Sequence, residues 1–156
     1  MSCQGAAQST PAAKVDGEDP FPSGAPTDDY GFIGWCYGAL AGHMDLYDKV
    51  LPDVRSIEAA FPDSNRPIDK VMEDYSAQHT EGRRLLRSWD RALGVLEATH
   101  RTGGLTRAAA VGKGRDFWKG SQTAEARQLA QLWMSWGLPG RCETTAARLD
   151  PAQATP

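Results

Sequence analysis

Apolar residues recur along most of this chain at the spacing of one face of an α-helix. From residue 33 to 54 they stand alternately four and three positions apart, and residues 68–100 repeat this spacing. Side chains spaced in this way share one stripe of a helix, which packs against a neighbouring element. The two stripes are Ile33, Tyr37, Leu40, Met44, Tyr47, Leu51 and Val54, and then Ile68, Met72, Tyr75, His79, Gly82, Leu86, Trp89, Leu93, Leu96 and His100. The pattern predicts two long helices, the second about 34 residues and roughly 50 Å long.

Capping residues and prolines set the expected ends of these helices. Residues 27–29 offer N-cap side chains and acidic charge, which favour a helix start there. Pro52 interrupts the first stripe, so it either kinks one long helix or begins a shorter second one ending near Phe61. Residues 63–65 have the composition of the next helix start. The glycines at 103–104 are the expected C-cap of the second stripe.

The last third of the chain predicts shorter helices. One covers residues 105–118, weakened by two internal glycines, the next residues 124–136, and the last a turn or two within 141–149. No segment alternates apolar and polar residues over the length of a β-strand. We therefore expect an all-α fold. It is a small helical bundle of two long antiparallel helices joined at residues 61–65, with the shorter C-terminal helices packed across them.

The N-terminal segment differs in composition from the helical part. Residues 1–29 contain four prolines, few large apolar side chains and a net charge of −4. Such a segment buries too little surface to offset its ordering entropy, so it predicts a disordered leader, with Phe21 as the residue expected to contact the core. A single helical domain then spans residues 30–149, and residues 150–156 form a disordered tail.

Overall composition is that of a soluble globular protein. The 156 residues are 40% hydrophobic and 24% charged, which suits one domain, and no run approaches 18 consecutive apolar residues. With 17 Lys and Arg against 20 Asp and Glu, the chain lacks the basic excess of a nucleic-acid binder. Many Ala and Gly residues, and twelve Arg to five Lys, are typical of a bacterium with a GC-rich genome.

The cysteines and the first residues bear on the compartment. Cys36 and Cys142 either form a disulfide or are two buried free thiols. A disulfide would close a long loop and stabilise the folded protein by about 4–5 kcal/mol. Residues 5–8 resemble the small-residue end of a signal peptide, although no apolar segment precedes them. Because a disulfide needs an oxidising compartment, we favour a periplasmic or secreted location, with the cytoplasm as the alternative.

Three glycines on the first predicted helix share a face. Gly34, Gly38 and Gly42 stand four residues apart, and each glycine inside a helix costs about 1 kcal/mol relative to alanine. Close approach of another helix is the favoured interpretation of this face. The alternative is the floor of a cleft in which a ligand lies against the backbone.

The histidines are the titratable groups closest to the apolar stripes. His79 lies beside the gap left by Gly82, and His43 follows the glycine face of the first helix. A histidine among apolar residues is usually a hydrogen-bonded core residue, but its ring also suits a binding site or an acid/base role. The candidate ligand-binding groove consists of Gly38, Gly42, His43, His79 and Gly82, with Trp89 nearby.

Five tryptophans are many for a chain of this length. Large aromatic side chains supply bulk to a small core, and the alternative is an aromatic-lined ligand pocket. The inner face expected for the helix at 124–136 consists of Leu129, Leu132, Trp133 and Trp136.

Motifs for metal, cofactor and catalytic chemistry do not occur in the sequence. It contains no CxxC pair, no zinc-ligand spacing, no P-loop and no catalytic signature such as G-x-S-x-G or H-E-x-x-H. We therefore expect no metal and no cofactor. Residues 101–119 carry a net charge of +4. Such a stretch most often forms a solvated face, and the alternatives are contact with an acidic partner, a phosphate, a lipid headgroup surface or the acidic leader.

These observations support three hypotheses of function. The first is a non-enzymatic protein that acts through contact with a protein partner. The second is a small-molecule binder that uses the groove near His43 and His79. The third, an enzyme with His79 as acid or base, has the least support because no catalytic motif accompanies this residue.

Overall fold

The computed structural model describes residues 19–149, and this part of the chain is built of helices. Six α-helices and one 3₁₀ helix follow one another there, and no β-strand occurs in that range. They are α1 (Asp29–Asp45), α2 (Tyr47–Ala60), α3 (Ile68–Ala98), α4 (Arg107–Arg115), the 3₁₀ helix (Asp116–Gln122), α5 (Ala126–Ser135) and α6 (Gly140–Leu149). The predicted all-α fold is confirmed.

The first predicted long helix is in fact two helices, α1 and α2. α1 begins where expected, because the Asp28 carboxylate caps it by accepting a hydrogen bond from the Gly31 N–H at 2.8 Å. The sequence places the interruption at Pro52, but the structure has it at Leu46, and Pro52 lies inside α2. A proline ring meets the carbonyl four residues earlier, which fits a bend on its N-terminal side. α2 ends at Ala60, in agreement with the predicted alternative of a shorter second helix ending near Phe61. The predicted bundle of two long helices is thus confirmed in part, with α3 as one long helix and α1 and α2 in place of the other.

α3 is the long helix that the second stripe predicts, and it ends in a Schellman turn. His100 has a φ of 54°, in the left-handed region. The Arg101 N–H donates to the Leu96 carbonyl at 2.7 Å, and the His100 N–H to the Glu97 carbonyl at 3.2 Å. The C-cap expected at the glycines 103–104 is therefore wrong, because His100 already turns the chain out of the helix.

α4 lies against α1 at a distance that only glycine allows. A Cβ atom on Gly38 would overlap the Val111 carbonyl oxygen, and a Cβ atom on Gly114 would overlap the Trp35 carbonyl oxygen. The backbones of the two helices therefore touch directly. Packing, the favoured interpretation of the glycine face, accounts for these contacts.

The two helices predicted next are both shorter than expected. The helix over 105–118 ends at residue 115 and tightens into the 3₁₀ helix, from which the Trp118 indole donates to the Ala39 carbonyl at 2.8 Å. The helix predicted at 124–136 covers 126–135, and Leu132 is 43% exposed rather than on the inner face. Ala130 is buried next to the core instead.

Two apolar clusters form the core of the described part. The larger lies between α1, α3, α4 and α6 and includes Phe32 and Leu93, and the smaller includes Val54 of α2 and Leu129 of α5. Four of the five tryptophans are buried, and the partly buried Trp136 packs against both clusters. The predicted use of tryptophan as core bulk is confirmed.

A disulfide ties α6 to α1. Cys36 and Cys142 are bonded and fully buried, with 5.9 Å between their Cα atoms. Close by, the Phe21 ring packs edge-on against Phe32 at 5.0 Å between centroids, and the Arg141 guanidinium lies 3.7 Å from the Phe21 ring centroid. The expected contact of Phe21 with the core is present.

The remainder of the predicted leader, residues 1–18, lies outside the described residues, and so does the predicted tail at 150–156. The features expected at residues 5–8 fall in the same range. They stay predictions.

Candidate functional site

A cleft of about 650 Å³ opens where the end of α1, the start of α2, the middle of α3 and the connection between α5 and α6 meet. Six aromatic and imidazole rings line it, from His43, Tyr47, Tyr75, His79, Trp133 and Trp136. Apolar side chains from α1, α3 and α5 complete the wall, and Glu81 and Glu143 contribute carboxylates. Its volume lies within the range of about 300–1,000 Å³ that is usual for pockets that hold small molecules.

His43 and Trp133 join the C-terminal ends of α1 and α5. The Trp133 indole N–H donates to the His43 carbonyl at 2.7 Å, and His43 Nε2 lies 3.0 Å from the Trp133 carbonyl oxygen. Because a carbonyl only accepts, Nε2 carries the hydrogen in this contact. The two rings are stacked, with 4.2 Å between their centroids and 4° between their planes.

The imidazole of His43 is neutral at pH 7. Burial lowers its pKa from 6.5 to about 4, the hydrogen bond to the Trp133 carbonyl opposes this, and the nearby His79 adds to the lowering. The rings of Trp118 and Trp136 lie 5.6 and 4.9 Å away between centroids. Protonation would place a cation where little water can reach it.

His79 enters the cleft from α3 and stacks on Tyr47 of α2. Their ring centroids are 4.1 Å apart with 25° between the planes. Burial lowers the pKa of His79, the charge of Arg83 lowers it further, and Asp48 acts in the opposite direction. Within residues 19–149 no hydrogen bond joins His79 to another titratable side chain. An acid/base role for His79 therefore has less geometric support than a binding role.

Polar groups of the cleft are neutral or acidic. The Tyr75 hydroxyl donates to Glu58 Oε1 at 2.7 Å, and burial together with this carboxylate raises the pKa of Tyr75. Glu81 is ion-paired with Arg84 of the same helix, whereas Glu143 of α6 forms no ion pair with any described residue. No Lys or Arg of the described chain lines the cleft.

Of the six predicted groove residues, the structure brings three together in the cleft. These are His43, His79 and Gly82. Gly38 and Gly42 lie on another face of α1, against α4 and the 3₁₀ helix. Trp89 is fully buried in the larger core cluster and borders a separate cavity of about 390 Å³. The predicted groove is thus divided, because the glycine face of α1 is turned toward α4.

The predicted groove did not include most of the aromatic residues that line the cleft. Tyr47 and Tyr75 belong to the two apolar stripes, and Trp133 and Trp136 to the expected inner face of the helix at 124–136. Stripe membership predicts burial, but it does not show that residues about 90 positions apart, such as His43 and Trp133, meet. The alternative of an aromatic-lined pocket was the signal that pointed toward this site.

Other candidate sites have less support in the described part of the chain. No group of three or more His, Cys, Asp and Glu side chains is placed there to hold a metal ion. None of its helices combines the length and the apolar character that crossing a membrane requires. In the basic stretch 101–119, Arg107 pairs with Glu97 and Arg115 with Asp45. These internal pairs reduce the charge that an acidic partner would meet.

No known protein family, curated protein or solved structure matches this chain. The geometry of the cleft is therefore the ground on which a function is proposed.

Proposed function

We propose that this protein binds a small organic ligand in the cleft between α1, α2, α3 and α5. The observation that carries the proposal is an open volume of about 650 Å³ bounded by six aromatic and imidazole rings. Protein interiors are close-packed, so a concavity of this size with aromatic walls is more typical of a binding site than of a packing fault. His79 and Gly82 line it, in keeping with the second hypothesis from the sequence.

Support also comes from the way the wall is fixed. Hydrogen bonds between His43 and Trp133 hold the end of α1 against α5, and the Cys36–Cys142 disulfide holds the start of α6 on α1. Because these contacts order the wall without a ligand, little binding energy is lost in ordering it.

A pair of tryptophan variants tests the proposal. Ala77 is exposed and lines the cleft, so Ala77→Trp places bulk at its edge, whereas Ser76→Trp places the same bulk on an exposed neighbour outside the lining. We expect compounds from a small-molecule library to raise the melting temperature of the unmodified protein and of Ser76→Trp, but not of Ala77→Trp. A library without a single binder, or equal responses of the two variants, would contradict the proposal.

Contact with a protein partner, the first hypothesis from the sequence, is the second candidate. Phe61 is 74% exposed, Phe117 48% and Leu132 43%, so these side chains offer apolar surface for a partner to cover. Crosslinking in native cells, with unmodified protein and with a Phe61→Ser/Phe117→Ser variant, tests this candidate. A crosslinked partner that the variant loses, while ligand binding is kept, favours contact as the main role.

We also propose that the protein works outside the cytoplasm of a bacterium, in the periplasm or as a secreted protein. The disulfide between Cys36 and Cys142 supports this location, because such bonds persist in oxidising compartments. Intact mass of protein from native cells, with and without reduction and alkylation, tests it. Free thiols at both positions would instead favour the cytoplasm.

A further inference from the structure

We propose that the ligand of this cleft is an organic cation of the quaternary ammonium type, with apolar substituents around a single positive charge. The inference rests on the proposed ligand-binding function and names the chemical class of the ligand. It follows from one juxtaposition: aromatic rings and an unpaired carboxylate share a wall that no described Lys or Arg lines.

The aromatic rings supply the first part of this recognition. Tyr47, Tyr75 and Trp136 are partly exposed and line the cleft from three different elements of the fold. The face of an aromatic ring attracts a cation, and cages of such rings recognise quaternary ammonium groups, whose methyl groups also need apolar surroundings. Met44 and Leu138 add apolar surface to the same wall.

The charges around the cleft supply the second part. Glu143 forms no ion pair with a described residue, and Arg84 is ion-paired with Glu81 while its charge also reaches Glu143. The two carboxylates of the lining therefore share one guanidinium, which leaves one net negative charge. The low pKa of His43, about 4, keeps this ring neutral at pH 7, so it does not repel a cation. Arg83, whose charge reaches His79, and Arg84 do not line the cleft, so an anionic ligand would meet the Glu143 carboxylate there without a basic group in the lining.

A neighbouring cavity of about 480 Å³ extends the acidic character. It shares Met44 and His79 with the cleft and is bordered by Asp45 and Asp48. Asp45 is paired with Arg115, which also borders this cavity, whereas Asp48 has no ion pair within the described chain. A carboxylate without an ion pair thus borders each of the two adjoining cavities, Glu143 the cleft and Asp48 its neighbour, which favours a cation over a neutral ligand of the same shape.

Three probes of nearly equal shape separate charge from size. They are choline, the neutral 3,3-dimethylbutan-1-ol and the anionic 3,3-dimethylbutanoate. Binding at pH 7 is followed by NMR, from the indole N–H signals of Trp133 and Trp136. We expect choline to bind at least about tenfold more tightly than the alcohol, and the carboxylate to bind more weakly than either.

Two exposed carboxylates provide matched variants. Glu143→Gln removes the unpaired charge of the lining, and Glu73→Gln removes a charge on the exposed face of α3 that is paired with Lys70. We expect Glu143→Gln to weaken choline binding about threefold while binding of the alcohol stays unchanged, and Glu73→Gln to change neither.

The outcomes separate this inference from the proposed function. Equal affinities for choline and the alcohol, or a Glu143→Gln variant that binds choline as well as the unmodified protein, overturn the cation assignment. If choline does not bind but other library compounds do, and Ala77→Trp blocks them, the cation assignment is wrong and the binding function stands. If nothing binds in the cleft, the binding function itself is wrong.

Discussion

His43 and Trp133 cap each other's helices. Each side chain bonds to the other residue's backbone carbonyl, at 3.0 and 2.7 Å, and these carbonyls lie in the last turns of α1 and α5. The last four carbonyls of a helix have no partner within the helix body. The Trp133 carbonyl gains one in the His43 ring, and the His43 carbonyl, which also accepts from the Leu46 N–H at 3.3 Å, gains a second in the Trp133 indole. The stacked rings then form one wall of the cleft. The contact that joins the two helices thus lies in the wall of the proposed binding site.

Folding stability should depend on pH through His43. Its pKa is about 4 in the folded protein and 6.5 when unperturbed, so the unfolded chain takes up the proton first as the pH falls. Stability is therefore fully present above pH 6.5 and is lost progressively toward pH 4, by up to roughly 3 kcal/mol from this group. Urea unfolding at pH 7, 5.5 and 4.5 measures the loss.

A His43→Phe variant is the control for this prediction. It keeps an aromatic ring against Trp133 but removes the titrating group and one hydrogen bond, which should cost about 1–2 kcal/mol at pH 7. Its stability should then fall less steeply between pH 6.5 and 4.5 than that of the unmodified protein. Identical slopes for the two proteins would show that His43 does not carry the pH dependence.

Alanine substitutions should separate the glycines that pack from those that do not. In Gly38→Ala the new methyl group would overlap the Val111 carbonyl, so we expect a loss of about 1–3 kcal/mol or more in the free energy of unfolding. Gly112, on α4, has no atom within 4 Å of an added Cβ. Gly112→Ala should therefore stabilise the protein by up to about 1 kcal/mol, through helix propensity alone. Chemical denaturation of both variants checks the contrast, and equal effects would argue against direct contact of α1 and α4.

Apolar spacing was enough to predict the fold class and the long helix α3. Its period separates helix from strand whatever packs against the stripe, and a glycine face such as Gly34, Gly38 and Gly42 predicts close approach of some partner. The spacing does not identify that partner. The glycine face meets Ala110 and Val111 of α4, more than 70 residues away, and no local signal encodes that pairing.

The lining of the cleft was predictable only in part, because apolar spacing does not show which helices meet. His43, His79 and Gly82 line the cleft, and His79 and Gly82 stand on the second apolar stripe at positions where the side chain is polar or missing. The sequence pattern predicts Tyr47 and Trp133 as ordinary core residues. They line the cleft because the chain bends at Leu46, which brings the first turn of α2 beside α5. A bend between two helices depends on tertiary packing, which one sequence does not display.

The disulfide should contribute a large share of the stability. It joins residues 106 positions apart, and the loop-entropy relation gives about 4–5 kcal/mol for a loop of that length. Because both side chains are fully buried, Cys36→Ala with Cys142→Ala is a suitable reduced mimic. We expect the double variant to lose several kcal/mol in urea unfolding and to become insensitive to reductant. An unmodified protein that keeps its stability after complete reduction would contradict the expectation.

Relief of backbone strain at His100 should stabilise the end of α3. This exposed residue holds a φ of 54°, a conformation that costs a residue with a Cβ about 1–2 kcal/mol and costs glycine almost nothing. His100→Gly should therefore raise the free energy of unfolding by about 0.5–1 kcal/mol, after allowance for the greater freedom of glycine in the unfolded chain. Gly104→Ala is the matched control, because its φ of 78° lies in the same region and nothing lies within 4 Å of an added Cβ. That variant should lose about 1 kcal/mol. If His100→Gly destabilises the protein instead, the His100 side chain has a stabilising role that outweighs the strain at the end of α3.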